Sequence, residues 1–231
     1  MNNLDSIIGK IDKHITEKDS IREQALRLSR DIIISCRKAI QLLHRNDFIH
    51  AQELITKASN TLVQLYDITK PYPDLFHAGF VENAGQEVAE AWCLQNIMQG
   101  KDLPDPDAIQ TTYSSYLMGL CDVVGELRRA ALDFILEGAP AKAHEYLRHM
   151  DQIYDAIMSF DYPSALVPIK KKQDMVRLLI EKTRGELAVA SCERRIDDKT
   201  LEFRGLFDKT GENRKQGKPK EESDIDIDKV W

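Results

Sequence analysis

Residues 20–45 read SIREQALRLSRDIIISCRKAIQLLHR, with apolar side chains at Ile21, Ala25, Leu28, Ile32, Cys36, Ala39 and Leu43. Steps of three and four residues line these up on one stripe of a helix with 3.6 residues per turn. Upstream, Leu4, Ile7, Ile8, Ile11 and Ile15 keep the same spacing, and Asp19 or Ser20 is placed to cap a helix that begins there. The stripe stops at His44-Arg45-Asn46-Asp47. It resumes through Ala51, Leu54, Ile55, Ala58, Leu62 and Leu65 until Lys70-Pro71-Tyr72-Pro73 ends that second helix. A third helix is predicted from about Asp74 to Gln99, closed by Gly100 in a C-cap position.

An acidic, proline-bounded connector, Asp102-Leu103-Pro104-Asp105-Pro106-Asp107, leads into a fourth helix that continues to Glu137-Gly138-Ala139-Pro140. A fifth follows from Ala141 to Phe160. Tyr162-Pro163-Ser164 breaks the chain before a sixth that reaches about Glu193. No segment alternates apolar and polar residues between turn dipeptides, as a strand would. The predicted fold is all-α, a bundle of about six to seven long helices. Residues 1–195 read as one helical domain and residues 196–231 as a polar, mobile tail. Leu201, Phe203, Leu206 and Phe207 are expected to dock before the tail frays.

Composition narrows the class. The 231 residues are 42% hydrophobic, enough for a sizeable core, and only 11 Gly and 8 Pro interrupt helices. The formal net charge of −6 argues mildly against nucleic acid, although a local basic face matters more than the sum. The four cysteines, Cys36, Cys93, Cys121 and Cys192, form no CxxC pair and sit in apolar helical contexts. They read as four buried thiols in a reducing compartment. The N-terminus lacks the apolar core of a signal peptide, and no run approaches a membrane span, so a cytoplasmic location is expected.

Two acidic pairs interrupt apolar surroundings. Glu87 and Glu90 lie three apart on the third predicted helix, and Asp122 and Glu126 four apart on the fourth, each pair on one face. Gly119 and Gly125 lie near the second pair, and glycine inside a helix often marks a close approach. A short connector predicts that the two helices pack antiparallel. Four carboxylates meeting there would repel and would not all stay ionised without a cation. Hard divalent ions such as Mg²⁺ or Mn²⁺ prefer oxygen ligands of this kind and activate water for phosphodiester hydrolysis. Against this stand solvated faces, or salt bridges to Arg128 and Arg129, in a chain that is 30% charged. A di-iron bundle needs Glu-x-x-His pairs, which neither acidic pair provides. The six histidines read as surface or turn residues. Arg30, Arg37 and Lys38 share a helical face and form a candidate phosphate-binding stripe.

Three segments carry a resemblance. The first runs from Arg22 to Ile32 (REQALRLSRDI) and on to Gln41-Leu42-Leu43-His44-Arg45; the others are Gln86-Glu87-Val88-Ala89-Glu90-Ala91 and Tyr116–Leu127 (YLMGLCDVVGEL). In this order they resemble the translin family, in particular its catalytic-type subunit, translin-associated factor X. The likeness extends over most of residues 20 to 195. It implies an all-helical fold, a ring- or shell-like homo-oligomer (hexamer or octamer) and divalent-metal-dependent endoribonuclease activity on single-stranded RNA. Single-stranded DNA is a second candidate ligand. By resemblance, Glu87, Glu90, Asp122 and Glu126 fall on the family's acidic catalytic and metal-binding positions. Short loops and an acidic C-terminal tail set the chain apart from the eukaryotic pattern and suit a compact single-subunit member. The alternative is a translin-like protein that binds single-stranded nucleic acid without cutting it.

Overall fold

The computed structural model describes residues 3–216 of the chain. They form seven helices: α1 (Leu4–Leu43), α2 (Phe48–Thr69), α3 (Pro73–Phe76), α4 (Gly79–Met98), α5 (Tyr113–Leu136), α6 (Pro140–Met158) and α7 (Lys170–Gln216). There is no strand among the described residues. Two compact units result, Met1–Leu187 and Ala188–Trp231. The predicted all-α class holds, and the boundaries differ in instructive places.

No cap forms at Asp19 or Ser20; α1 runs unbroken from Leu4 to Leu43. With neither Gly nor Pro between Ile11 and Leu43, no residue there forces the backbone out of the helix. The predicted third helix is split. Pro73–Phe76 makes a single turn, and Ala78 is extended (ψ 142°) before α4 begins. The fourth helix starts later than expected, at Tyr113, where Thr112 accepts a hydrogen bond from the Ser115 amide at 3.1 Å. Gly100, at φ +66°, adopts the left-handed conformation its C-cap role requires. The sixth predicted helix does not end at Glu193. It is α7, which continues to Gln216 through the first part of the predicted tail. Leu201 and Phe203 are exposed there rather than docked. Residues 217–231 of that tail lie outside the described residues.

In the first unit α1 packs on α2 and α4, α4 on α5, and α5 on α6. The core includes Ile32, Cys36, Leu43, Ile55, Leu62, Leu94, Leu127 and Met150, all fully buried. Ser29 donates to the Phe80 carbonyl at 2.8 Å, which ties the middle of α1 to the start of α4. Trp92 donates to Ser59 Oγ at 2.8 Å and pins α4 to α2. Cys36, Cys93 and Cys121 are buried as expected, whereas Cys192 is exposed.

The expectation of antiparallel packing between the two acidic helices is overturned. Ser115 on α5 donates to the Glu82 carbonyl on α4, and Gln86 donates to Asp122 further along both helices. The paired residues therefore advance together, and α4 and α5 cross in the same sense. The connector makes this possible. A helix of 20 residues is about 30 Å long, and an extended stretch from Gln99 to Thr112 spans up to about 45 Å. The chain can thus return to the start of α4 before α5 begins. The same holds between α1 and α4, where Ser29 meets Phe80 and Arg37 meets Glu87.

Gly119 sets how closely α5 approaches α4. A Cβ there would stand 2.5 Å from the Gln86 carbonyl oxygen, 2.9 Å from Ala89 Cβ and 3.0 Å from the Glu90 amide nitrogen. Gly125, by contrast, would place a Cβ in open space, so it does not mark a close approach. The two glycines therefore predict opposite signs. Gly119→Ala forces apart two backbones and should destabilise by about 1–3 kcal/mol. Gly125→Ala should gain up to about 1 kcal/mol of helix propensity. Urea unfolding midpoints of the two variants, compared with the parent chain, check both signs.

A carboxylate cluster between three helices

With α1, α4 and α5 running in the same sense, Cys36–His44, Glu87–Glu90 and Asp122–Glu126 arrive at one level of the bundle. The four acids singled out from the sequence come close enough to act on one another. Glu90 is pushed up to about 8, first by burial and then by the negative charges of Asp122, Glu87 and Glu126. Burial also raises Glu87, against the opposing pull of Arg37.

Three of the four carboxylates have their own partners. Arg37 Nη2 lies 3.7 Å from Glu87 Oε1. His44 Nε2 lies 2.6 Å from Glu126 Oε2, and Arg129 reaches the same oxygen at 3.8 Å. The imidazole bond is the main reason Glu126 is held below the ordinary carboxylate range. Asp122 is bound on both oxygens, with Gln86 donating to Oδ2 and Lys172 from α7 to Oδ1. Glu90 has no hydrogen-bonded basic partner among the described residues, and burial and like charge outweigh the smaller opposing pull of Lys172.

His44 corrects the sequence reading. It is no ordinary turn residue, for its side chain is only 6% exposed and it closes the cluster against Glu126. Its place at the end of the Leu-Leu-His-Arg segment is the signal the sequence offers. Gln86 likewise opens the Gln-Glu-Val-Ala-Glu-Ala segment, whereas Lys172 offers no signal: an N-terminal lysine of a long helix looks like a solvated charge until α7 is laid against α5. The salt-bridge alternative is met only by Arg129. Arg128 turns away and grips Glu186 through two bonds of 2.6 and 2.8 Å, with a third to Thr183 at 2.9 Å.

The donor set suits a hard cation. All four acids offer oxygen ligands, which favour Mg²⁺ or Mn²⁺ over softer metals. Cys36 and Cys121 lie beneath them, and burial followed by the neighbouring carboxylates pushes both thiols up, Cys121 to about 12. They stay protonated and offer no thiolate to a soft metal. As the side chains stand, no three acidic, histidine or cysteine groups among the described residues form a ready-made ligand set. The counter-charge is supplied instead by Lys172 and Arg37.

Arg30, Arg37 and Lys38 are all exposed on α1. Arg37 belongs to both regions: its side chain is 69% exposed yet reaches Glu87. The basic stripe therefore borders the carboxylates. No helix among the described residues is long and apolar enough to cross a membrane.

Comparison with known proteins bears on this arrangement. The Translin family pattern matches residues 20–184. An uncharacterized protein of Methanocaldococcus jannaschii is 30% identical over 178 residues, which cover 75% of this chain and 78% of that protein. The crystal structure of AfC3PO superposes with a TM-score of 0.73 at 30% identity, covering 81% of this chain and 98% of AfC3PO. A complex of AfC3PO with duplex RNA gives a TM-score of 0.69 at 29% identity, over 81% of this chain and 97% of that one. Apo-NeC3PO shares the fold, with a TM-score of 0.68 at 19% identity, over 82% of this chain and 98% of its own.

Proposed function

Because the chain belongs to the translin family, we propose that it is a catalytic-type member, a divalent-metal-dependent endoribonuclease acting on single-stranded RNA within a homo-oligomeric shell. The observation that carries this reading is the meeting of Glu87, Glu90, Asp122 and Glu126 beside an exposed basic stripe. The binding of duplex RNA by the similar AfC3PO supports nucleic acid as the ligand class.

In this reading Arg30, Arg37 and Lys38 take phosphates of the RNA backbone, without regard to sequence. Arg37 then passes from Glu87 to a phosphate and brings the strand to the carboxylates. Glu87, Glu90, Asp122 and Glu126 would hold Mg²⁺ or Mn²⁺, with His44 fixing the orientation of Glu126. The ion, when bound, supplies an activated water and neutralises charge on the phosphodiester.

A second reading has its own support. Lys172 and Arg37 already balance Asp122 and Glu87, as they would in a protein that binds RNA without cutting it. Incubation of labelled single-stranded RNA with purified chain in Mg²⁺, Mn²⁺ or EDTA separates the two. Cleavage that EDTA abolishes and either ion restores is the result expected of the enzyme. RNA retention without cleavage under every condition favours the binding protein.

The stripe is tested by its salt dependence. Replacing Arg30, Arg37 and Lys38 together by Ala should weaken RNA binding. It should also flatten the log–log salt slope by about one unit for each phosphate no longer neutralised. Unchanged affinity and slope, measured by fluorescence anisotropy, would reduce the stripe to a solvated helix face.

A further inference from the structure

We infer that Lys172 is the resident counter-ion of the carboxylate cluster and governs its loading: a divalent cation is accepted only as the Lys172 ammonium leaves Asp122, and the released ammonium is then free for an RNA phosphate. This rests on the cation-binding reading of the cluster.

The placement is the first argument. Lys172 comes from α7, whereas the acids come from α4 and α5, and its Nζ sits on Asp122 Oδ1. Gln86 donates to the other oxygen, so each oxygen of Asp122 already carries a donor while Lys172 is in place, and a cation arriving there meets the ammonium on Oδ1. The charge of Lys172 also acts on Glu87 and Glu90. One ammonium thus acts on three of the four carboxylates. An ammonium and a divalent ion on the same carboxylate oxygen would repel strongly at this depth, since the two paired side chains are only 22% and 19% exposed.

The position of Lys172 in its own helix is the second argument. α7 opens Lys170-Lys171-Lys172, a run of positive charge at the helix end where the backbone dipole disfavours it. Local helix stability does not account for a cation there, but a partner on α5 does. Lysine also suits a charge that must move. Its ammonium is compact and rides on a flexible four-carbon stem, whereas a guanidinium would grip Asp122 in a fixed, two-pronged geometry. A phosphate at the mouth of the cluster would compete with Asp122 for Lys172, so RNA and the divalent ion should each favour binding of the other.

The test is a titration of the full-length chain with Mn²⁺, followed by electron paramagnetic resonance of the free ion. It is run with and without a 2′-O-methyl single-stranded oligonucleotide that resists cleavage. Without the oligonucleotide, Lys172→Gln should bind Mn²⁺ on the order of tenfold more tightly than the parent chain. The oligonucleotide should tighten Mn²⁺ binding several-fold in the parent chain and leave Lys172→Gln unchanged. Lys172→Arg should bind Mn²⁺ no more tightly than the parent chain. If Lys172→Gln binds Mn²⁺ equally or less tightly, Lys172 is a structural tie and the inference falls. The measurement on the unaltered chain guards against a variant that fails to fold: absence of any effect of the oligonucleotide there also overturns it. Failure of the underlying reading looks different, since the parent chain would then bind no Mn²⁺ beyond what Asp122→Asn binds.

Discussion

Asp122→Asn is expected to lower cleavage of single-stranded RNA by about a thousandfold, equivalent to about 4 kcal/mol of barrier. The substitution keeps the shape of the side chain and removes the anionic charge that would hold a divalent ion. Asp122 is the natural choice because it stands at the centre of the cluster: it acts on Glu87 and Glu90 and is met by α4 and α7 alike. Relief of repulsion among the acids would, taken alone, make the asparagine variant more stable without metal. The structure argues for the opposite sign. Asp122 accepts from both Gln86 and Lys172, and an asparagine has a single acceptor oxygen, so one partly buried donor loses its partner. A loss of about 1–3 kcal/mol is expected, small enough to leave a folded chain. RNA binding through α1 should persist. Cleavage assays and urea unfolding of the same preparations test both parts. Full activity in the variant would place the chemistry elsewhere, or in a contaminating ribonuclease.

Glu90 gives the second large effect, on stability rather than on turnover. Its folded carboxyl keeps its proton up to about 8, because it is buried and faces Asp122, Glu87 and Glu126. In the unfolded chain it releases the proton near its ordinary value of 4.5. Between those limits the folded state binds more protons, so stability falls as pH rises from about 4.5 to about 8 and levels off above. Glu90→Gln mimics the protonated form at every pH. In EDTA the parent chain should therefore lose on the order of 3 kcal/mol between about pH 5 and about pH 8.5 relative to Glu90→Gln. Denaturant unfolding of both chains at several pH values reads this directly. A parallel pH dependence in the two would show that Glu90 does not carry the strain. Saturating Mn²⁺ should remove most of the difference, since a cation favours the ionised carboxylate.

Much of this is legible in the sequence, for a physical reason. Helical periodicity is local, so spacing alone identifies the long helices and the faces of Glu87/Glu90 and Asp122/Glu126. Punctuation is local too: Gly100 ends α4 in the left-handed conformation predicted for it. Errors arise where a local signal has two readings. Asp19-Ser20 resembles a cap, but capping residues also occur inside helices, and α1 runs straight through them. The connector before α5 reads as a short turn between antiparallel neighbours, yet it is long enough to carry the chain back along α4.

By itself, then, the sequence determined an all-helical chain, its amphipathic faces and the four acids that share two of them. The tertiary structure alone decided the partners of those acids. Gly119 permits an approach that brings backbone to backbone, which sets α4 and α5 at the distance where their carboxylates interact. His44, Arg37 and Lys172 then arrive from α1 and α7, separated from the acids by 50 to 82 positions along the chain. Charge interactions depend on distance in space and on how much water lies between the groups, and neither is written in the spacing of residues along a helix.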